Sequence, residues 1–269
     1  MTRPLSVAHL TAVDLAPPQF IEAAARAGFD GVGLRLLRVT DTTPGYPMTD
    51  DPAMLRATKA AMQATGLSVG DVEFLKVTPE TRVADVEWMF DIGAELGAAH
   101  LITAPYDDDL SRLSDSLAAL AEAGAKRGLK VIHEFFPWTS VPDLATALKV
   151  TGDAGVAVLV DSLHFDRSGS SLEMLKAIDP ACLPFAHLCD APVHPPYSTE
   201  DLLYNAREAR FPPGEGQIDL AAFVRALPEG LPLALEVPML KLQQAEGSEA
   251  VLHHVGRTTR DWLARNDLA

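Results

Sequence analysis

One pattern recurs along the chain: a short apolar run, a few polar or Gly/Pro residues, then an amphipathic stretch that often ends in glycine. The apolar runs are Leu5–Thr11, Phe29–Leu37, Leu67–Val77, Ala98–Pro105, Leu129–Phe136, Val156–Asp161, Leu183–Cys189 and Leu231–Val237. Helical i, i+3, i+4 spacing marks Phe20–Ala27, Met54–Thr65, Val83–Leu96, Leu110–Lys126, Leu144–Thr151, Leu172–Ile178, Leu220–Leu227 and Ala250–Arg265. Glycine follows several of them, as in Thr65-Gly66, Leu96-Gly97 and Ala154-Gly155, where a helix ends on a left-handed residue without steric cost. Eight strands alternating with eight helices is the count of a closed (β/α)8 TIM barrel, and 269 residues allow about 34 per unit. An open doubly wound sheet is the rival. Its glycine-rich phosphate loop is missing after the first run, where Thr11-Ala12-Val13-Asp14 stands. The expectation is therefore an α/β, single-domain barrel over residues 1–269. One segment breaks the rhythm: residues 190–213 are too long for a plain connection and read as a lid on the C-terminal face, with a helix over Thr199–Ala209.

Composition removes several classes of function. A net charge of −15 disfavours sequence-tolerant nucleic-acid binding, which draws on clustered Lys and Arg. No apolar run reaches the roughly 18–20 residues a membrane helix needs, and no signal-peptide core follows Met1-Thr2-Arg3-Pro4. Cys182 and Cys189 are the only cysteines, so no disulfide framework is implied and a cytoplasmic location is expected.

Alternation along strands says which side chains enter the barrel. In Lys130-Val131-Ile132-His133-Glu134, His133 faces the helix layer with Val131, and Glu134 ends the strand on the other face. The run Val156–Asp161 finishes in a carboxylate, His187 shares a face with Phe185 and Cys189, and Glu236 points opposite to Leu231, Leu233 and Leu235. Glu134, Asp161, His187 and Glu236 thus end strands five to eight in order. A lone buried carboxylate is costly, and three together repel unless a cation joins them. Three carboxylates and an imidazole suit one divalent ion: Mn²⁺, Mg²⁺, Co²⁺ or Zn²⁺.

The series His133-Glu134, Asp161-Ser162-Leu163-His164, His187-Leu188-Cys189-Asp190, Pro213-Gly214-Glu215-Gly216 and Leu235-Glu236 resembles the xylose isomerase-like TIM-barrel family of sugar (phosphate) isomerases and epimerases. In the ketose 3-epimerases of that family the Glu, Asp, His and Glu at these positions bind one divalent metal. The resemblance implies that Glu134 and Glu236 exchange protons as acid and base, and that His164 and Arg210 hold the substrate. It also implies a homo-oligomer. Cys189 stands where many relatives have lysine, which leaves substrate charge open. The family's nucleases use extra histidines on strands three and four and an Asp-x-His step; here Phe74-Leu75-Lys76, Thr103-Ala104-Pro105 and Glu208-Ala209-Arg210 occupy those places.

The expected chemistry is proton removal beside a carbonyl, with the enediolate charge stabilised by the cation. Returning the proton to the opposite face epimerises, returning it to the neighbouring carbon isomerises, and loss of a β-hydroxyl dehydrates. The substrate is expected to be a small polyhydroxylated ketone. The alternatives are a dehydratase of a cyclic keto-polyol, of keto-inositol or dehydroshikimate type, and a non-catalytic metal- or sugar-binding barrel. Around this core, Arg35 is placed at the mouth to bind a hydroxyl, carboxylate or phosphate, or to form a structural ion pair. Glu73 reads as a surface carboxylate unless Gly70-Asp71 form a bulge. Phe136 and Trp138 stack on a sugar or pack the lid, Cys189 fills core, and His253-His254 read as solvated or interface residues. Tyr197 and Tyr204 are candidates for closing over a substrate.

Overall fold

Parallel strands covered on both faces need near-continuous apolar runs, and a barrel closes when the last such run pairs with the first. The computed structural model, which describes residues 3–40 and 43–269, shows that closure. The strands are β1 (Leu5–Val7), β2 (Gly31–Arg35), β3 (Ser68–Val77), β4 (His100–Pro105), β5 (Lys130–Glu134), β6 (Ala157–Asp161), β7 (Ala186–Leu188) and β8 (Leu233–Leu235). They pair in sequence order, all parallel, and Leu5, Ser6 and Val7 of β1 lie opposite Leu233, Ala234 and Leu235 of β8. The chain is a single-domain (β/α)8 barrel.

The helices are α1 (Pro17–Arg26), α2 (Pro52–Thr65), α3 (Val83–Leu96), α4 (Leu110–Ala125), α5 (Leu144–Ala154), α6 (Ser162–Ser168), α7 (Leu172–Lys176), α8 (Thr199–Glu208), α9 (Leu220–Ala226), α10 (Leu240–Glu246) and α11 (Ser248–Arg265). Asp51, Asp109, Asp143 and Asp219 each cap a helix by accepting a backbone N–H of its first turn, and Gly66, Gly97 and Gly155 close helices at positive φ. The short helices α6 and α10 carry too few turns to show a helical period. No helix among the described residues is long and apolar enough to cross a membrane.

Two apolar layers follow from the alternation. Val131, Val158, Leu188, Leu233 and Leu235 pack outward against the helices. Phe74, Ile102, Ala104, Ile132, Phe136, Leu159, Phe185 and Ala234 fill the interior. Inward-pointing residues at the C-terminal strand ends therefore sit above a dry plug.

Two elements depart from the expected pattern. The first strand stops at Val7 instead of Thr11, and His9–Ala12 form a 3-10 turn. His9 drives the turn: its ring stacks on Phe20 (4.4 Å) and Tyr46 (5.3 Å), its Nδ1 accepts the Arg35 N–H, and its Nε2 donates to the Leu15 carbonyl. Second, the expectation of a surface Glu73 is overturned. Val32 pairs with Val69 but Gly33 pairs with Asp71, so Gly70 is bulged out and the parity of β3 reverses. Glu73, 1% exposed, lies inside the barrel.

Candidate active site

Four strand ends bring Glu134, Asp161, His187 and Glu236 together, all buried, each with one ligating atom within 4.8 Å of the others. His187 Nδ1 lies 3.8 Å from Glu134 Oε1, 3.9 Å from Asp161 Oδ2 and 3.9 Å from Glu236 Oε2. These separations are too long for hydrogen bonds. They suit atoms that share one centre at the roughly 2.0–2.2 Å of metal–ligand bonds. Both ring nitrogens of His187 and Oε1 of Glu134 are buried with no hydrogen-bond partner. Buried polar atoms without partners are uncommon, so a group that satisfies them fits the site. Burial, with Glu236 and Asp161 adding negative charge, raises the Glu134 carboxyl well above the usual carboxylate range.

Asp161 is fixed from both sides. Its Oδ1 accepts the Leu163 and His164 N–H groups as the N-cap of α6, and its Oδ2 accepts Arg210 Nη1–H at 2.6 Å. Burial pushes its carboxyl up, but Arg210, His164 and His187 outweigh that and hold it at about 2. Arg210 is 2% exposed; its Nη2 lies 2.7 Å from Glu236 Oε2, and its Nε–H donates to the Ala206 carbonyl on α8. The guanidinium thus clamps two members of the quartet from the side of α8. Cys189 lies behind it, with Sγ 3.4 Å from Arg210 Nη1 and its thiol pushed by burial up to about 12, which suits a neutral filler.

His164 is 1% exposed, with Nε2 3.9 Å from Glu134 Oε1 and neither ring nitrogen hydrogen-bonded. It stands edge-on to Phe136 (4.8 Å) and Trp138 (5.2 Å), and burial lowers its pKa to about 4. Arg35 enters the barrel as alternation requires. Its Nη2 is 3.5 Å from Glu73 Oε2 and 4.0 Å from Glu236 Oε1, so it forms an internal ion pair while also lining the cavity. Asp71 lies one inward position below Glu73, and burial raises both carboxyls.

A cavity of about 450 Å³ opens above the quartet, lined by Glu134, Glu236, His164, Arg35 and Arg210. Phe74, Tyr106, Phe136 and Trp138 form an aromatic wall, and Ala206, Arg207 and Glu208 bring α8 to the mouth. Neither Tyr197 nor Tyr204 lines it: Tyr204 is exposed, and Tyr197 lies under the Arg167 guanidinium (4.1 Å). His254 pairs with Glu215 at 3.0 Å on the outer surface. The Gly-Glu-Gly step is scaffolding. Asp190 accepts N–H groups from Ala191, Gly214 and Ile218, and a Cβ at Gly216 would lie 2.3 Å from Asp190 Oδ1.

A family model for the xylose isomerase-like TIM barrel matches residues 21–254. The chain belongs to that family. Among curated proteins, it is 26% identical over 239 residues to the 3-dehydroshikimate dehydratase of Pseudomonas putida, covering 82% of this chain and 36% of that protein. It is also 26% identical over 162 residues to the inosose isomerase of Bacillus subtilis, covering 55% of each. The chain thus spans about a third and about half of the length of these two relatives. Among solved structures, the IolI protein, described with a bound zinc atom, superposes with a TM-score of 0.78 at 18% identity over 98% of this chain and 99% of the other. The barrel matches; at that identity the likeness concerns the fold.

Proposed function

We propose that the protein is a divalent-metal-dependent isomerase or epimerase of a small, sugar-like ketone. The observation that carries this reading is the buried quartet at the floor of the cavity, with unpartnered atoms on Glu134 and His187. Glu134, Asp161, His187 and Glu236 would hold one ion, and zinc in the IolI structure supports the same class of ion here. When bound, the cation supplies a Lewis acid that offsets negative charge developing on a substrate oxygen.

The chain's own groups move the proton. Glu134 ends β5 and Glu236 follows β8, three strands away, and both line the cavity, so they face a bound carbon from different sides. Their surroundings differ: Glu134 has a buried oxygen without a hydrogen-bond partner, while Glu236 is ion-paired to Arg210. Carboxyls in unlike environments are how one site supplies an acid and a base at the same pH. In this reading one glutamate takes the proton beside the carbonyl and the other returns one. Arg210 and His164 position substrate oxygens, Arg35 orients Glu236 from beneath, and residues 190–213 cover the mouth through α8 and exclude water.

Dehydration of a cyclic keto-polyol is the second reading, favoured by the 82% coverage of the match to a dehydratase. It uses the same proton abstraction and differs in loss of a hydroxyl. Incubating manganese-loaded protein with ketoses, keto-inositols and dehydroshikimate in D₂O separates the two. Deuterium beside the carbonyl with every oxygen retained is the expected result, whereas water loss with a new ultraviolet chromophore supports the dehydratase. Neither change across the panel, with metal bound, returns the chain to a non-catalytic binding barrel.

A further inference from the structure

Inside the barrel lies a second group of charges, which the proton transfers do not use. The bulge at Gly70 turns Asp71 and Glu73 inward, and they are 4% and 1% exposed. Register sets Gly33 of β2 opposite Asp71, and Arg35 opposite Glu73. Gly33 makes the room, since a Cβ there would collide with the Asp71 carboxylate. Neither Asp71 nor Glu73 belongs to the quartet, yet Glu73 touches the one guanidinium that reaches the quartet from β2.

That guanidinium stands between two carboxylates and is tightly bonded to neither. Arg35 Nη2 lies 3.5 Å from Glu73 Oε2 and 4.0 Å from Glu236 Oε1, and its Nε is buried without a partner. His9 Nδ1 fixes the main chain by accepting the Arg35 N–H at 3.0 Å, so the place of the side chain is left to the balance of the two negative charges. Glu236 already gives Oε2 to Arg210 at 2.7 Å. Its Oε1 faces Arg35 across a gap too wide for a hydrogen bond, and a shift of roughly 1 Å would close it. A buried guanidinium that loses its partner keeps its desolvation penalty, so without Glu73 it is driven toward the next carboxylate. Glu236 would then be gripped at both oxygens, with less charge left for a cation.

We infer that Glu73 is a positioning residue that holds the Arg35 guanidinium off Glu236, so that Glu236 keeps one oxygen and most of its charge for the quartet. This rests on the proposed metal site and extends it to a side chain that does not ligate the ion.

Calorimetric titration of manganese into the metal-free protein reads the effect without turnover. With Arg35 in place, Glu73→Gln is expected to bind manganese about 10–100-fold more weakly than the parent, the usual cost of losing a group that orients a ligand. In an Arg35→Met background the same substitution has no effect, because no guanidinium remains to be held. That non-additivity separates positioning from the loss of a negative charge or of stability, which would weaken binding in both backgrounds. Asp71→Asn, which removes a carboxylate one inward position lower, binds manganese as the parent does. If Glu73→Gln does not fold, Glu73→Asp, which keeps the charge and shortens its reach, is compared in the same two backgrounds, with a smaller loss expected only where Arg35 is present. An equal loss in both backgrounds, no loss in either, or a loss as large in Asp71→Asn overturns the inference, while one ion per parent chain leaves the metal site standing. A parent that binds no manganese overturns both.

Discussion

Glu134→Gln and Glu236→Gln are each expected to lower solvent deuterium incorporation into the substrate by about 10²–10⁴-fold, the usual worth of a positioned acid or base. Glutamine keeps the size of the side chain and removes its ability to carry a proton. It also removes one negative charge from the quartet, so both variants must be assayed at saturating manganese to separate weaker metal binding from lost chemistry. Both side chains are buried, at 3% and 4% exposure, and native-like circular dichroism must accompany the loss. If both variants exchange within tenfold of the parent at saturating metal, the glutamates do not carry the proton. If only one variant loses exchange, the reaction uses a single base.

Arg210 has the largest expected effect on stability. It is 2% exposed and pairs with two buried carboxylates, Asp161 at 2.6 Å and Glu236 at 2.7 Å. Removing one partner of a buried ion pair typically costs about 3–5 kcal/mol, because the remaining charge keeps its desolvation penalty. Metal-free Arg210→Met is therefore expected to lose about that much in urea unfolding. Manganese should restore more stability to the variant than to the parent, since the cation then offsets charge that Arg210 had balanced. A metal-free loss below about 1 kcal/mol, the range of exposed pairs, would show that the contacts with Asp161 and Glu236 do not persist in solution.

Much of the barrel and its quartet was legible in the sequence because parallel strands write buried faces as apolar runs. A carboxylate or imidazole ending such a run has few places to point. Glu134 and Asp161 are the last residues of β5 and β6, His187 lies inside β7 and Glu236 follows β8, all in strands whose parity is unbroken, and alternation aims them inward. Glu73 was misread for the opposite reason: a bulge at Gly70 reverses the parity of β3, and only pairing with β2 reveals it. The early end of β1 arises from contacts of His9 with Phe20 and Tyr46, residues distant in sequence. Tyr106 went unremarked and Phe74 was noted only as standing where the nucleases have histidine, because an aromatic residue near a strand end looks the same whether it packs the plug or lines a cavity. Arg210 was identified through the family resemblance, but its clamp on Asp161 and Glu236 is visible only in three dimensions.

The central claim is that one divalent ion is held by side chains from β5 to β8. Manganese titration into metal-free protein by calorimetry, run near pH 7 in buffers of different ionisation enthalpy, tests it directly. Burial and its carboxylate neighbours raise the Glu134 carboxyl, and an ion binds its deprotonated form, so binding competes with protons there. The account predicts a stoichiometry of one ion per chain, proton release on binding, affinity that weakens as pH falls, and loss of the site in Asp161→Asn combined with His187→Ala. Binding of several ions, or of one ion whose affinity is untouched by those substitutions, would contradict it.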